Sequence, residues 1–310
     1  MTSERRGYRF LEPTALARVN NLSLAARGVV EGFISGRHTS PYKGFSVEFA
    51  EHRTYAKGDN LRHLDWKMLA RTDRLYIKQY EEETNLRAQV VLDTSGSMLY
   101  RHGDAISKLQ YGAYLAAILA YVMARQQDAV GLTTFDSKLQ LDMPARTSER
   151  HFGEMMKQLE GTIDGLTKSD ANKPGAGTNI ADTLHRLAER FKRRCLIVLI
   201  SDLYDEPEAV IRALHHFRHK RHEVILFHIF DHAEIEFPFR DTMRLMDMET
   251  GEKIQIDPRF MRDEYKKQIQ EFIDGYRRSC HESQIDYVMT DTSVPYDVMI
   301  TQYLAKRNSM

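Results

Sequence analysis

The chain has 310 residues, of which 42% are hydrophobic, so it is long enough to bury a core of its own. Lysine plus arginine equal aspartate plus glutamate at 44 each, which argues against a nucleic-acid partner because no strong basic field is present. The N-terminus has no apolar secretory core, and the longest apolar run, 113–124, is shorter than the ~20 residues that span a bilayer. We therefore expect a cytoplasmic protein without an integral membrane segment.

Residues 1–86 are predicted to form a small α+β extension. After a helical spacing of apolar residues and a loop rich in Gly, Ser and Pro, the segments "FSVEFAEHRTY" and "RLYIKQYEEE" alternate in the manner of strands, with a short helix or turn between them. Five charged or aromatic residues of this extension form either a partner-binding surface or an internal lattice of ion pairs around a packed indole, and the sequence leaves both open: Arg53, Asp59, Arg62, Asp65 and Trp66.

Residues 87–310 are predicted to form an α/β domain. Apolar strands alternate with helical stretches, which is typical of a mostly parallel sheet with helices on both faces. The expected strands are "QVVLD", "AVGLTTF", "CLIVLIS", "EVILFHIF" and "IDYVMT", and the expected helices are 105–126, 149–160, 179–191, 207–221 and 295–306. Residues 233–257 read as two short strands around a turn, and with a polar helix at 258–282 they form an insertion at about 233–282.

Oxygen-bearing side chains follow the ends of two buried strands. Asp93 ends the first, with Ser95 and Ser97 in the next loop, Thr178 stands in a Gly-rich loop before a helix, and Asp202 ends a second strand. Ligands of open parallel sheets collect at the carboxyl ends of strands, so we expect these groups to meet. Hydroxyls and carboxylates suit a hard cation such as Mg²⁺ or Mn²⁺, whereas zinc prefers His or Cys.

Other interpretations of these residues stay open. Asp and Ser are also ordinary helix caps, which would leave a scaffold with an unused site. A metal-dependent hydrolase or phosphatase could use Asp93 as nucleophile, but Ser95 stands where a second Asp would be needed. Neither a G-x-S-x-G elbow around Ser95 nor a phosphate loop is present, so we expect no enzyme activity.

The run "HHFRHKRH" offers a possible zinc site through His215, His219 and His222 at helical spacing. No cysteine or carboxylate lies in the run to complete a ligand set, so a solvated basic helix face is the favoured interpretation.

The pattern Asp93-x-Ser95-x-Ser97, followed by Thr178 and Asp202, resembles the metal-ion-dependent adhesion site of von Willebrand factor A domains. The resemblance implies a Rossmann-like fold in which the three hydroxyls ligate the metal directly and the two aspartates act mainly through bridging waters. It also implies that a carboxylate of a partner protein fills the remaining coordination position.

Residues 44–83 resemble the signature of the bacterial family called domain of unknown function 58, and the likeness extends to "DPRFMRDEYKKQI" and "QYLAKR". Members are typically paired with MoxR-type AAA+ ATPases. The resemblance therefore implies a cation-dependent adaptor that works with such an ATPase on a client protein, in the assembly or maturation of a complex.

Overall fold

A computed structural model describes residues 47–55, 64–82, 86–168, 179–246 and 252–308. The chain divides into two compact units between Asn85 and Leu86, and each unit is described here by itself. The helical pattern predicted before residue 47 lies outside the described residues. Among the helices of the described ranges, none is long and apolar enough to cross a membrane.

The described residues of the smaller unit form a two-stranded antiparallel sheet and one short helix. Strand β1 (Val47–Thr54) pairs with β2 (Tyr76–Glu82), and helix α1 (Trp66–Thr72) lies between them in sequence. Asp65 fixes the start of α1, because its carboxylate accepts hydrogen bonds from the amides of Lys67 and Met68 at 2.9 and 3.1 Å. The predicted order of strand, short helix and strand is thus confirmed.

The larger unit is built on a six-stranded sheet with the order β10-β7-β6-β3-β4-β5. Neighbouring strands are parallel except β5, which runs antiparallel to β4 at the edge. Numbered within this sheet alone, the order reads 6-5-4-1-2-3, which is the doubly wound arrangement of Rossmann-like folds. The strands are β3 (Arg87–Asp93), β4 (Ala129–Phe135), β5 (Leu139–Arg146), β6 (Leu196–Ser201), β7 (Glu223–Phe230) and β10 (Asp286–Asp291). The predicted α/β fold with a mostly parallel sheet is confirmed.

Helices cover both faces of this sheet. They are α2 (Lys108–Arg125), α3 (Glu149–Lys168), α4 (Ile180–Arg190), α5 (Pro207–His219), α6 (His232–Glu236), α7 (Pro258–Glu282) and α8 (Tyr296–Asn308). Buried side chains of α4, α5 and α7 pack with Val91 and Leu199 on one face. On the other face, Gly112 of α2 lies so close to Leu92 and Ile200 that a Cβ atom there would be 3.1 and 3.0 Å from their methyl groups. The central strands are predominantly apolar because both of their faces are buried.

The insertion differs in part from its prediction. The predicted pair of strands is present as β8 (Met243–Met246) and β9 (Lys253–Ile256), and the predicted helix is α7. Residues 232–236, however, form helix α6 and not part of a strand. The physical reason is a capping box, in which the Asp231 carboxylate and the Glu234 side chain satisfy amides at the helix start.

Candidate functional site

Asp93 joins the carboxyl ends of two neighbouring strands. It is the last residue of β3 and is fully buried. One carboxylate oxygen accepts a hydrogen bond from the Ser95 amide at 2.8 Å, and the other accepts one from the Ser201 hydroxyl at 2.5 Å. Because Ser201 ends β6, this second bond connects the two strand ends directly.

The hydroxyls of Ser95 and Ser97 form a hydrogen bond with each other beyond Asp93, with their oxygens 3.0 Å apart. Adjacent ligands of an octahedral Mg²⁺ ion, each at about 2.0 to 2.1 Å from the metal, are separated by about 2.9 Å. The spacing of the two serine oxygens therefore fits one edge of such a coordination shell.

Asp202 follows β6 and is fully buried like Asp93. Its Oδ2 atom lies 2.8 Å from the ammonium of Lys108, and the same ammonium lies 2.7 Å from Oε1 of Glu234. The structure thus adds two charged residues, Lys108 and Glu234, that the sequence did not single out. A lysine at the start of an apolar helix was the available signal for Lys108.

The buried charges shift one another's protonation equilibria. Burial, followed by the nearby charge of Asp202, raises the pKa of Asp93 to about 7, although hydrogen bonds from Ser201 and Ser95 oppose this. Burial alone would lower the pKa of Lys108, but the carboxylates of Asp202 and Glu234 outweigh it and the pKa is raised. A further cation beside Asp93 would favour its ionised form.

His228 positions the backbone at Asp202. The ring is fully buried, with Nε2 2.9 Å from the Asp202 carbonyl oxygen and Nδ1 2.9 Å from the Tyr287 hydroxyl oxygen. Burial lowers the pKa of His228 to about 4, so the ring is neutral at pH 7. A histidine inside an otherwise apolar strand was the sequence signal for this residue.

The described part of the predicted metal site fits a hard cation. Asp93, Ser95, Ser97 and Asp202 lie at the same edge of the sheet, whereas Thr178 is outside the described residues, so its contribution stays a prediction. Among the residues the structure describes, no group of three or more His, Cys, Asp or Glu side chains could hold a metal ion. The donors that meet here are mainly hydroxyls, which suit Mg²⁺ or Mn²⁺ better than zinc.

The three histidines of the basic run do not converge. His215 is half-buried and its Nε2 lies 2.5 Å from the Ser283 hydroxyl oxygen, whereas His222 follows α5 and is buried with Nδ1 3.3 Å from the sulfur of Cys195. His219 is exposed. The interpretation as a solvated basic face is therefore wrong for His222. Its ring is buried because it packs against the rings of Phe191 and Phe217.

The second set of predicted residues is described in part. Arg53 lies on β1, whereas Asp59 and Arg62 are outside the described residues. Asp65 is buried and caps α1, which is a structural role. The Trp66 side chain is 64% exposed, so the interpretation as a packed indole is wrong: the first position of this short helix faces solvent.

The family of the chain follows from sequence comparison. A family model described as "Protein of unknown function DUF58" matches residues 51–272. The chain belongs to the DUF58 family. This DUF58 protein is 27% identical over 259 residues to the uncharacterized proteins Rv1480 of Mycobacterium tuberculosis and Mb1516 of Mycobacterium bovis, covering 83% of its own length and 78% of theirs.

Solved structures similar to the DUF58 protein include the conserved hypothetical protein BatB from Bacteroides thetaiotaomicron, with 18% identity, a TM-score of 0.44 and coverage of 73% of this chain and 100% of BatB. They also include the SpRpn10 VWA domain, with 13% identity, a TM-score of 0.38 and coverage of 71% and 95%. The strand order of the sheet itself establishes a doubly wound, Rossmann-like α/β fold.

Proposed function

We propose that the protein is a non-catalytic adaptor that binds another protein through a divalent cation, Mg²⁺ or Mn²⁺, at the carboxyl edge of its sheet. The observation that carries the proposal is the pair of serine hydroxyls 3.0 Å apart beside the buried carboxylate of Asp93. Neutral hydroxyls donate electron pairs to the cation without cancelling its positive charge. They therefore suit a site in which the cation must still attract an acidic group of the partner.

Each residue of the site has a distinct task. Ser95 and Ser97 present their oxygens from the loop after β3, and Thr178 is expected to add a third hydroxyl. Asp93 braces this loop through the Ser95 amide and holds β6 through Ser201. When bound, the cation supplies a Lewis-acidic position that a carboxylate of the partner can occupy.

The hydrolase alternative has less support. Both carboxylate oxygens of Asp93 accept hydrogen bonds, and the side chain is fully buried. A nucleophile needs an accessible oxygen and a general acid near the leaving group, and Ser95 is not an acid at neutral pH.

We place the adaptor in the cytoplasm and assign it a MoxR-type AAA+ ATPase as partner, together with a client protein that presents an acidic residue. The ATPase comes from the resemblance to the DUF58 signature. It agrees with a sequence that has no phosphate loop, because energy for remodelling a client must then come from another protein.

The proposal is tested by titrating the ATPase against the full chain in MgCl₂ and again in EDTA. Ser97→Ala removes one expected ligand but no core volume, so it should weaken binding roughly tenfold in MgCl₂, a loss of about 1.4 kcal/mol, and change nothing in EDTA. Thr178→Ala should behave in the same way.

Ser279→Ala is the matched control. Ser279 is half-buried near the end of α7, which precedes β10 and therefore lies at the opposite, amino edge of the sheet. This variant should bind like the wild type. Equal wild-type affinity in MgCl₂ and EDTA would contradict the adaptor mechanism, and turnover of a phosphate ester that Asp93→Asn abolishes would favour the hydrolase.

A further inference from the structure

Lys108 has no local reason to stand where it does. It is the first residue of α2, directly after the cap Ser107, and its side chain is fully buried. A positive charge near a helix N-terminus opposes the helix dipole, so the helix itself disfavours lysine at this position. The stabilisation of its ammonium must come from other elements.

Two acidic side chains from separate parts of the chain supply it. The Lys108 ammonium lies 2.8 Å from Asp202 Oδ2 and 2.7 Å from Glu234 Oε1. It also lies 4.7 Å from the centre of the Tyr204 ring and 5.7 Å from that of Tyr100. Removing an ammonium from water is strongly unfavourable unless such partners compensate for it.

The charges around Lys108 do not balance. Two carboxylates, those of Asp202 and Glu234, pair with one ammonium, and the buried carboxylate of Asp93 lies near Asp202 without pairing with Lys108, so two negative charges remain when all three carboxylates are ionised. That remainder equals the charge of one divalent cation. Asp202 forms an ion pair with Lys108 and is also one of the residues predicted for the metal site.

We propose that Lys108 is an internal counter-ion that competes with the divalent cation for Asp202 and thereby lowers the cation affinity of the site. This inference rests on the proposed cation-dependent function. Lys108 is a positioning residue, since it acts on the site through Asp202. Glu234 has the opposite effect, because its carboxylate draws the ammonium toward α6 and away from Asp202.

The test is the affinity of the full chain for MgCl₂ by isothermal titration calorimetry, repeated with MnCl₂ by electron paramagnetic resonance. Lys108→Met/Glu234→Gln removes one charge of each sign and should bind the cation at least about fivefold more tightly than the wild type, the lower end of ordinary coupling between two ligands. Lys108→Gln/Glu234→Gln keeps a hydrogen-bond donor near Asp202 and serves if the first variant does not fold, as judged by circular dichroism.

The controls separate the possible outcomes. In Glu234→Gln alone, Asp202 is the remaining carboxylate that pairs with the Lys108 ammonium. This variant should therefore bind the cation no more tightly than the wild type. If the wild type binds the cation and both double variants bind it equally or more weakly, the competition is disproved while the adaptor proposal stands. Binding by the double variants alone would support the competition and overturn the cation-dependent function of the wild type, and binding by none would overturn both.

Discussion

Asp93 and Asp128 are both buried carboxyl groups with pKa values raised to about 7, but their surroundings differ. Asp93 ends β3 among hydroxyl oxygens and beside a second aspartate. Asp128 precedes β4, and its Oδ2 atom has no hydrogen-bond partner among the described residues. A raised pKa therefore marks burial in both cases, and the neighbouring oxygens are what make Asp93 a candidate metal ligand.

Asp128→Asn should stabilise the protein in a pH-dependent way. The raised pKa means that the folded state holds a proton that the unfolded state has lost between about pH 4 and 7, so stability falls as the pH rises through this range. The neutral amide avoids that loss. We expect the melting temperature of the variant to exceed that of the wild type by about 2–4 °C at pH 8, for about 1 kcal/mol relieved, with no gain near pH 4.

Thermal denaturation at both pH values in EDTA measures this difference, because EDTA removes any contribution of a bound cation. Asp263→Asn, the same substitution at an exposed position of α7, provides the control for general charge effects. An equal change in melting temperature at pH 4 and pH 8 would contradict the assignment of the penalty to Asp128.

At the scale of elements, the edge strand β5 depends on a glycine of its neighbour. The register of β4 and β5 shifts between Val130 and Leu132, at Gly131. A Cβ atom at Gly131 would lie 2.5 Å from the Met143 carbonyl oxygen and 2.7 Å from the Ala145 nitrogen. These are backbone atoms of β5, so the contact cannot be relieved by rotating a side chain.

Gly131→Ala should therefore destabilise the larger unit by about 3 kcal/mol, at the upper end of ordinary overpacking. Gly112→Ala is the matched comparison, because its Cβ atom would meet side-chain methyl groups at 3.0 to 3.3 Å, and we expect a loss of about 1 kcal/mol. Urea denaturation followed by circular dichroism gives both free energies of unfolding. Equal losses in the two variants would contradict the close approach of β4 and β5.

The strands that the sequence predicted correctly have a recognisable pattern for one physical reason. Strands β3, β4, β6 and β7 are buried on both faces, so most of their residues are apolar. Strand β5 was missed because it lies at the sheet edge, is largely exposed or half-buried and contains a proline.

The candidate site was predictable where its residues lie close together in sequence, and not where its contacts are long-range. Asp93, Ser95 and Ser97 form a local motif at a strand end, which a sequence displays directly. The contacts of Lys108 span 94 residues to Asp202 and 126 to Glu234, and no local pattern encodes a pairing at such a distance.

At the scale of the whole molecule, the family match to residues 51–272 crosses the boundary between the two units. The larger unit carries the candidate cation site, and the smaller unit exposes an indole at Trp66. Exposed tryptophans are common anchors of protein interfaces. The formal net charge is zero, so long-range attraction contributes little to partner binding and close contacts must supply the affinity.

Trp66→Ala should weaken binding of the ATPase roughly tenfold in both MgCl₂ and EDTA, because the indole acts independently of the cation. Ser97→Ala should weaken binding in MgCl₂ alone, and the loss in free energy for the double variant should equal the sum of the two single losses within about 0.5 kcal/mol. Titration calorimetry of the four proteins in each buffer measures the cycle, with Leu75→Ala, another exposed apolar residue of the smaller unit, as the control for lost surface area. If Trp66→Ala binds the ATPase with wild-type affinity, the indole of the smaller unit is not part of the interface. The cation site would then be the one proposed contact that is left.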